Sequence, residues 1–251
     1  MILSRSIEWA LGAEDGPPPA LLDHVRSKAR IVRAGPGQIV IAHSTLADDV
    51  YFILSGSFEV LITARDGQDV VVRDLGPGAI FGDLAALDRQ PRSATITATS
   101  ASVVACVPAE TFLTAVSELP EASRWFTSRL GTEVRRLTDK IFELSALAAR
   151  SRLHCELFRL AGAAPRSGEH VRLEPAPTHE ALAQRIGSQR EAVSREIARL
   201  GKTGILRSGR RWIEIDIGRL KSLVETELGY PLPLLALQAD GLPPSTPRRV
   251  A

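Results

Sequence analysis

The sequence predicts an α+β protein: a barrel or sandwich of short strands, then one long helix, then a helical region closed by a hairpin. Three textures carry this reading. Between Ile31 and Val107 short β-branched runs alternate with Gly-rich turns. From Glu121 to about Ala149 apolar residues recur at steps of four and three. From Thr178 to Leu200 two amphipathic segments flank a single glycine, Gly187.

Taken in order, Met1 to about Ala20 reads as a short helix and a turn ending in GPPP, and Ala20 to Ala29 as a second short helix. The strands follow in IVRAGPGQIVIAHS, DDVYFILSGSFEVLITARDGQDVVVRDLGPGAIFG and SATITATSASVVACV, punctuated by Gly-Pro-Gly, Ser-Gly and Asp-Gly. Asp66-Gly67 is a hairpin-turn signal. Many short strands at regular spacing fit a barrel or sandwich. Ala109 to Val116 reads as a short helix. The long helix from Glu121 has no proline and one interior glycine, Gly131. Along it Leu130, Val134, Leu137, Ile141, Leu144 and Ala148 form a heptad seam, which pairs helices and points to a homodimer. The alternative is a helix packed on its own barrel. Ser151 to about Leu228 is helical and ends in ILRSGRRWIEIDI, a hairpin with Ser208-Gly209 at its turn. The tail from Tyr230 is rich in Pro, Leu and Ala and reads as irregular.

With 251 residues, 44% of them hydrophobic and 24% charged, the chain has room for two domains with real cores. Its two cysteines, Cys106 and Cys155, lie far apart, which excludes a disulfide framework and a four-cysteine zinc or iron–sulfur site. No apolar run is long enough to span a membrane, and the N-terminus lacks a basic-then-apolar signal layout, so the cytoplasm is expected.

The glycine between the two amphipathic segments sits where a tight inter-helix turn needs positive φ. Thr178 is the expected N-cap of the first helix. Ser188 and Glu191 have capping-box spacing, so the second helix is expected to start near Gln189. Val193, Ile197 and Leu200 bury one side, and Arg190, Glu191, Ser194 and Arg195 point the other way. The net charge is only +2, yet between Arg172 and Lys221 eleven Lys and Arg face six Asp and Glu. The positive charge is therefore concentrated where phosphates would sit. A hairpin bearing Arg207, Arg210 and Arg211 follows, as the wing of a winged helix would. Arginine can pair with guanine O6 and N7, and glutamate can accept from cytosine N4. Ser188, Arg210 and Arg211 suit phosphates, which position without specifying. The alternative is an ordinary helical hairpin with a solvated charged face.

A second constellation lies in IFGDLAALDRQPRSATI, Ile80 to Ile96. Gly82 lets a ligand approach the backbone. The helical turn Leu84-Ala85-Ala86-Leu87 after Asp83 offers free amides to an anion, which Arg92 and Ser93 meet from the strand side, while Asp83 accepts from a sugar hydroxyl. A cyclic phosphate fused to ribose satisfies all of these. The alternative is that Asp83 caps the short helix and Arg92 is its solvated partner.

YFILSGSFEV, LGPGAIFGDLAAL, PRSATITA, the long helix and GSQREAVSREIARL, in this order, resemble the Crp/Fnr superfamily of bacterial transcription regulators over roughly Ile31 to Ile217. The resemblance implies a jelly-roll (double-stranded β-helix) cyclic-nucleotide-binding domain over 1–120, a dimerisation helix over 121–150, a winged helix-turn-helix over 151–228 and a tail over 229–251. It implies a non-enzymatic dimer on double-stranded DNA, at half-sites resembling TGTGA, with cAMP or cGMP as effector, RNA polymerase as a partner and no metal. Gly82, Asp83, Arg92 and Ser93 match its phosphate cassette, Arg190, Glu191 and Arg195 its base readers, and Thr138 a helix hydroxyl that reads adenine. There are departures. Asp83 replaces a longer glutamate, Leu137 replaces a hydroxyl residue beside Thr138, and the gap from Gly82 to Arg92 is one residue short. Glu196 falls where the motif has an aliphatic. A cyclic dinucleotide or haem effector, or none, is an alternative. So, more remotely, is a cupin-type metalloenzyme, for which only His43 lies among the strands.

Overall fold

The computed structural model describes residues 16–63, 69–164 and 166–229. The Asp66-Gly67 turn, the first 15 residues and the tail from Tyr230 lie outside the described residues. The chain divides into two compact units between Arg135 and Arg136.

The first unit opens with helix α1 (Pro19–Arg26), in which proline takes the first-turn position whose amide has no partner to lose. Strands β1 (Arg30–Ala34), β2 (Ile39–Ile41), β3 (Val50–Ser55), β4 (Phe58–Thr63), β5 (Asp69–Leu75) and β6 (Ile80–Phe81) follow. A short helix α2 (Asp83–Asp88), strands β7 (Thr95–Ala98) and β8 (Ser102–Val107), and helix α3 (Ala109–Glu118) complete the run before the long helix α4 (Pro120–Ala146).

Two antiparallel four-stranded sheets, ordered β1-β8-β3-β6 and β2-β7-β4-β5, face each other as the expected jelly roll. Ile53, Phe58, Phe81, Ile96 and Val104 fill the space between them. The first sheet is buried on both faces, because α1, α3 and the start of α4 pack on its back. Val50, Phe52 and Leu54 of β3 alternate with Ile53 and turn outward to meet Leu21, Phe112 and Phe126. Two arginines tie α4 to the barrel: Arg73 of β5 pairs with Glu133 at 2.7 Å, and Arg129 donates to the Ile80 carbonyl at 2.9 Å.

The long helix ends three residues before the expected Ala149. Leu147 and Ala148 break it, with Ala148 extended (φ −64°, ψ 154°), and α5 (Ala149–Ala163) begins directly. Neither break residue is Gly or Pro. The break is held from outside, since Arg152 donates to the Leu147 carbonyl at 2.8 Å. Ala148 therefore leaves the seam. Val134, Leu137, Ile141 and Leu144 remain on α4 as an exposed apolar stripe, 40–65% accessible.

In the second unit β9 (Arg166–Ser167) and β10 (His170–Leu173), absent from the all-helical expectation, precede α6 (His179–Ile186) and α7 (Arg190–Lys202). Then come β11 (Leu206–Ser208), β12 (Ile213–Asp216) and α8 (Ile217–Leu228). One sheet, β11-β12-β10-β9, joins the expected hairpin to the unexpected one. Leu157, Leu182, Leu200, Ile215 and Leu220 meet in the core beneath it.

Candidate ligand cassette and nucleic-acid interface

Gly82 takes φ +84°, and a Cβ there would stand 2.6 Å from both Arg92 Nη1 and the Asp49 carbonyl oxygen. Both left-handed backbone and close approach therefore require glycine. Arg92 is 3% exposed. Its Nη1 donates to the Gly82 carbonyl and its Nη2 to the Asp49 carbonyl, each at 2.8 Å. Its backbone is pinned on both sides, N–H to Thr45 O at 3.0 Å and C=O from Ser44 N at 2.8 Å. Its Nε is buried without a partner.

No carboxylate ion-pairs with Arg92 among the described residues. Asp49 turns its side chain to Arg30 instead, at 3.4 Å. Burial pulls the Arg92 guanidinium below its ordinary range, and the charges of Tyr51, Asp49 and Asp48 oppose that shift. A buried cation that spends two of its five N–H groups on carbonyls and leaves Nε unpartnered is short of an anion. The alternative of a solvated Arg92 paired with Asp83 does not hold.

Asp83 is buried at the first position of α2, and its Oδ2 lies 3.4 Å from Arg129 Nη2 of α4. Leu84 is 48% exposed, whereas Ala85 is buried, so from Ala85 only the backbone is on offer. Ser93 is exposed beside Arg92. Gly82, Asp83, Leu84, Ala85, Arg92 and Ser93 thus gather at one edge of the barrel. Thr138 stands exposed on α4 in the second unit.

The DNA-reading candidates are built as follows. Thr178 caps α6, its hydroxyl accepting from Ala181 N at 3.1 Å. Gly187 closes it at φ +58°, with Leu144 against the position a Cβ would take. The expected capping box is corrected. Ser188 N–H bonds back to Ala183 O at 3.0 Å and so completes the end of α6. The N-cap of α7 is Gln189, with no side-chain bond. The helix starts one residue later than a Ser188 cap requires.

Val193, Ile197 and Leu200 are buried, while Arg190, Glu191 and Arg195 are exposed. The five-residue step sets Arg190 and Arg195 about 7.5 Å apart along the axis, enough for different base pairs. Ser194 is half-buried. Its hydroxyl donates to Arg190 O at 3.0 Å and lies 2.8 Å from His179 Nδ1. Arg210 and Arg211 are exposed in the β11–β12 turn, closed by Gly209 N to Trp212 O at 2.9 Å.

Sequence reasoning missed the residues that hold this motif in place. Arg152 donates to Ile186 O at 2.7 Å and to Gly187 O at 3.0 Å, and Lys140 to Arg185 O at 2.7 Å. Two cations thereby satisfy the orphan carbonyls at the end of α6. Glu143 of α4 grips Arg159 through both oxygens, at 2.5 and 3.1 Å, and Arg159 also holds Glu156 at 2.8 Å. The signal available was only charge in otherwise apolar helix faces. Among the described residues there is no cluster of three His, Cys, Asp or Glu placed for a metal, and no helix long and apolar enough to cross a membrane.

Two family models match the chain: the cyclic nucleotide-binding domain over residues 31–118 and the Crp-like helix-turn-helix domain over 151–223. A CRP-like cAMP-activated global transcriptional regulator of Mycobacterium tuberculosis is 24% identical over 197 residues, 78% of this chain and 88% of the relative. A cyclic AMP receptor protein of Thermus thermophilus is 27% identical over 179 residues, 71% and 80% of the two chains. The solved structure of CLP, a c-di-GMP responsive global regulator of Xanthomonas campestris, shares the fold with a TM-score of 0.70. It is 18% identical and covers 79% of this chain and 99% of that one.

Proposed function

The chain belongs to the Crp/Fnr superfamily of transcription regulators, and on that premise we propose a homodimer whose grip on a palindromic TGTGA-like site is switched by a cyclic nucleotide, cAMP foremost. In this reading residues 1–120 receive the effector, 121–150 pair the protomers, 151–228 read DNA and 229–251 are a tail. The partners are double-stranded DNA, a second copy of the chain and RNA polymerase, in the cytoplasm.

The observation that carries the effector site is Arg92, buried, unpaired with any carboxylate among the described residues and with its Nε unpartnered. Gly82, Leu84 and Ala85 supply backbone to the phosphate, Ser93 a hydroxyl, Asp83 an acceptor for the sugar and Thr138 a contact to the base. Arg190, Glu191 and Arg195, all exposed, read bases. Ser188, Ser194, Arg210 and Arg211 position the backbone. The exposed stripe on α4 supports pairing through that helix. The ligand acts by population shift, favouring the dimer whose recognition helices stand about 34 Å apart, one turn of DNA.

One observation favours a second reading, the same DNA role with another effector. Asp83, the acceptor a ribose hydroxyl would need, is already engaged by Arg129 through Oδ2 at 3.4 Å. A cAMP-activated relative supports cAMP, and a fold relative responsive to c-di-GMP keeps dinucleotides in the test. Calorimetry with cAMP, cGMP and c-di-GMP, paired with titration of a palindromic duplex with and without each, decides. Heat from one nucleotide together with tighter duplex binding is the expected result. No heat from any of the three, with DNA binding intact, removes the effector.

A further inference from the structure

The group least explained by DNA reading lies behind α7. Glu196, at the position where the motif has an aliphatic, is only 8% exposed. His154 of α5, wholly buried, places Nε2 2.6 Å from Glu196 Oε1 and Nδ1 2.8 Å from Glu227 Oε2. One imidazole thus bridges the DNA-reading helix to the last turn of α8. Arg199 completes the cluster, its Nη2 at 2.6 Å from the same Glu196 oxygen.

Donor counting is decisive here. An ionised carboxylate only accepts, and a neutral imidazole has a single N–H. Two carboxylates on the two ring nitrogens therefore require a second proton, and the imidazole, more basic than a carboxylate, is its natural seat. With that proton the charges of Glu196, Glu227, His154 and Arg199 cancel. Without it a ring lone pair faces a carboxylate oxygen at under 3 Å in a buried site, and one bridge opens. Burial alone would raise the Glu196 carboxyl, but hydrogen bonds from Arg199 and His154 outweigh it and hold it below the ordinary range.

Of the charges around the cluster, Arg150 and Arg195 line the same surface depression as Glu196 and Arg199, and on α8 Lys221 pairs with Glu225 at 3.7 Å. On α5 the neighbouring Cys155 thiol is pushed up to about 12, chiefly by burial, and stays neutral. From α6 Arg185 faces Glu156, and from β10 Arg172 faces Glu174.

We propose that His154 is a positioning residue, held as a doubly protonated ring between Glu196 and Glu227, whose second proton seats the DNA-reading helix and makes sequence-specific binding depend on pH. The consequence for DNA rests on the role proposed for α7; the proton itself does not.

The test uses the full chain. Ring-nitrogen NMR on ¹⁵N-histidine protein, with His154→Gln for assignment, is expected to show both His154 nitrogens protonated at neutral pH. The discriminating variant is Glu227→Gln, whose amide can donate to Nδ1 while Nε2–H stays on Glu196, so the bridge no longer needs the extra proton. Between pH 6 and 9, at fixed salt, wild-type affinity for a palindromic TGTGA-like duplex should fall about tenfold more than that of Glu227→Gln, the scale of one linked proton per pH unit. A neutral His154 ring with one protonated nitrogen overturns the proposal, as do superimposable pH profiles for the two proteins. If neither protein binds the duplex but the ring carries two protons, the clasp stands and the DNA reading falls.

Discussion

Gly82→Ala tests the cassette by geometry. At φ +84° an L-residue carries about 1–2 kcal/mol of left-handed strain. Its Cβ would also stand 2.6 Å from the Asp49 carbonyl, a backbone atom with no rotamer to escape into, and as close to Arg92 Nη1. Relief requires the guanidinium to leave at least one of its two carbonyls, and a charge-assisted hydrogen bond is worth about 1.5–3 kcal/mol. The effector unit should therefore lose about 3–5 kcal/mol. With a slope near 2 kcal/mol per molar urea, its midpoint falls by about 1.5–2.5 M, read from Trp125 fluorescence. Gly131→Ala on α4 is the internal control. Beyond its own helix backbone and chain neighbours nothing lies within 4 Å of its added Cβ, and helix propensity should raise stability by about 0.5–1 kcal/mol. A loss below about 1 kcal/mol for Gly82→Ala refutes both the strain and the contact reasoning.

Three further outcomes are expected. Arg195→Ala should relax preference at one base pair in binding-site selection, by about 1–3 kcal/mol, whereas Arg211→Ala should lower the salt slope by about one with preference unchanged. Ile141→Glu, in the middle of the exposed stripe, should turn the species in sedimentation velocity from dimer to monomer. Glu143→Gln removes one of the two carboxylates on the half-buried Arg159, which keeps Glu156, and should cost the second unit about 1–3 kcal/mol in urea. The same network sets an acid limit. Burial would raise the Glu156 carboxyl, but Arg159 and Arg185 hold it below the ordinary range. Its stabilisation is therefore present at neutral pH and is lost as pH falls through that lowered value, which a series of urea midpoints down to about pH 2 will show.

The barrel and the helix-turn-helix were legible because local chemistry and tertiary packing agree there. Alternation at Val50, Phe52 and Leu54 marks a strand whichever face is buried, and Thr178 and Gly187 each have a single local job. The misses occur where long-range contacts override local signal. The α4–α5 break depends on Arg152, five residues beyond Leu147, and Ser188 has capping-box spacing but is spent on the preceding helix. β9 and β10 are too short to show a period: β10 forms on the edge that β12 offers, and β9 on the edge of β10. Pairings such as Asp83 with Arg129, 46 residues apart, leave no trace in spacing.

That last pairing has a consequence for signalling. The carboxylate that would greet a guest's hydroxyl is already a handhold for the helix that carries the apolar stripe. A guest that draws Asp83 toward itself loosens Arg129, and whatever loosens Arg129 from the far side makes Asp83 readier for the guest, because the two share one pair of oxygens. On the proposed reading, occupancy of the barrel and the hold of Arg129 on Asp83 would be a single free energy seen from two ends, so tuning either by mutation would move the other.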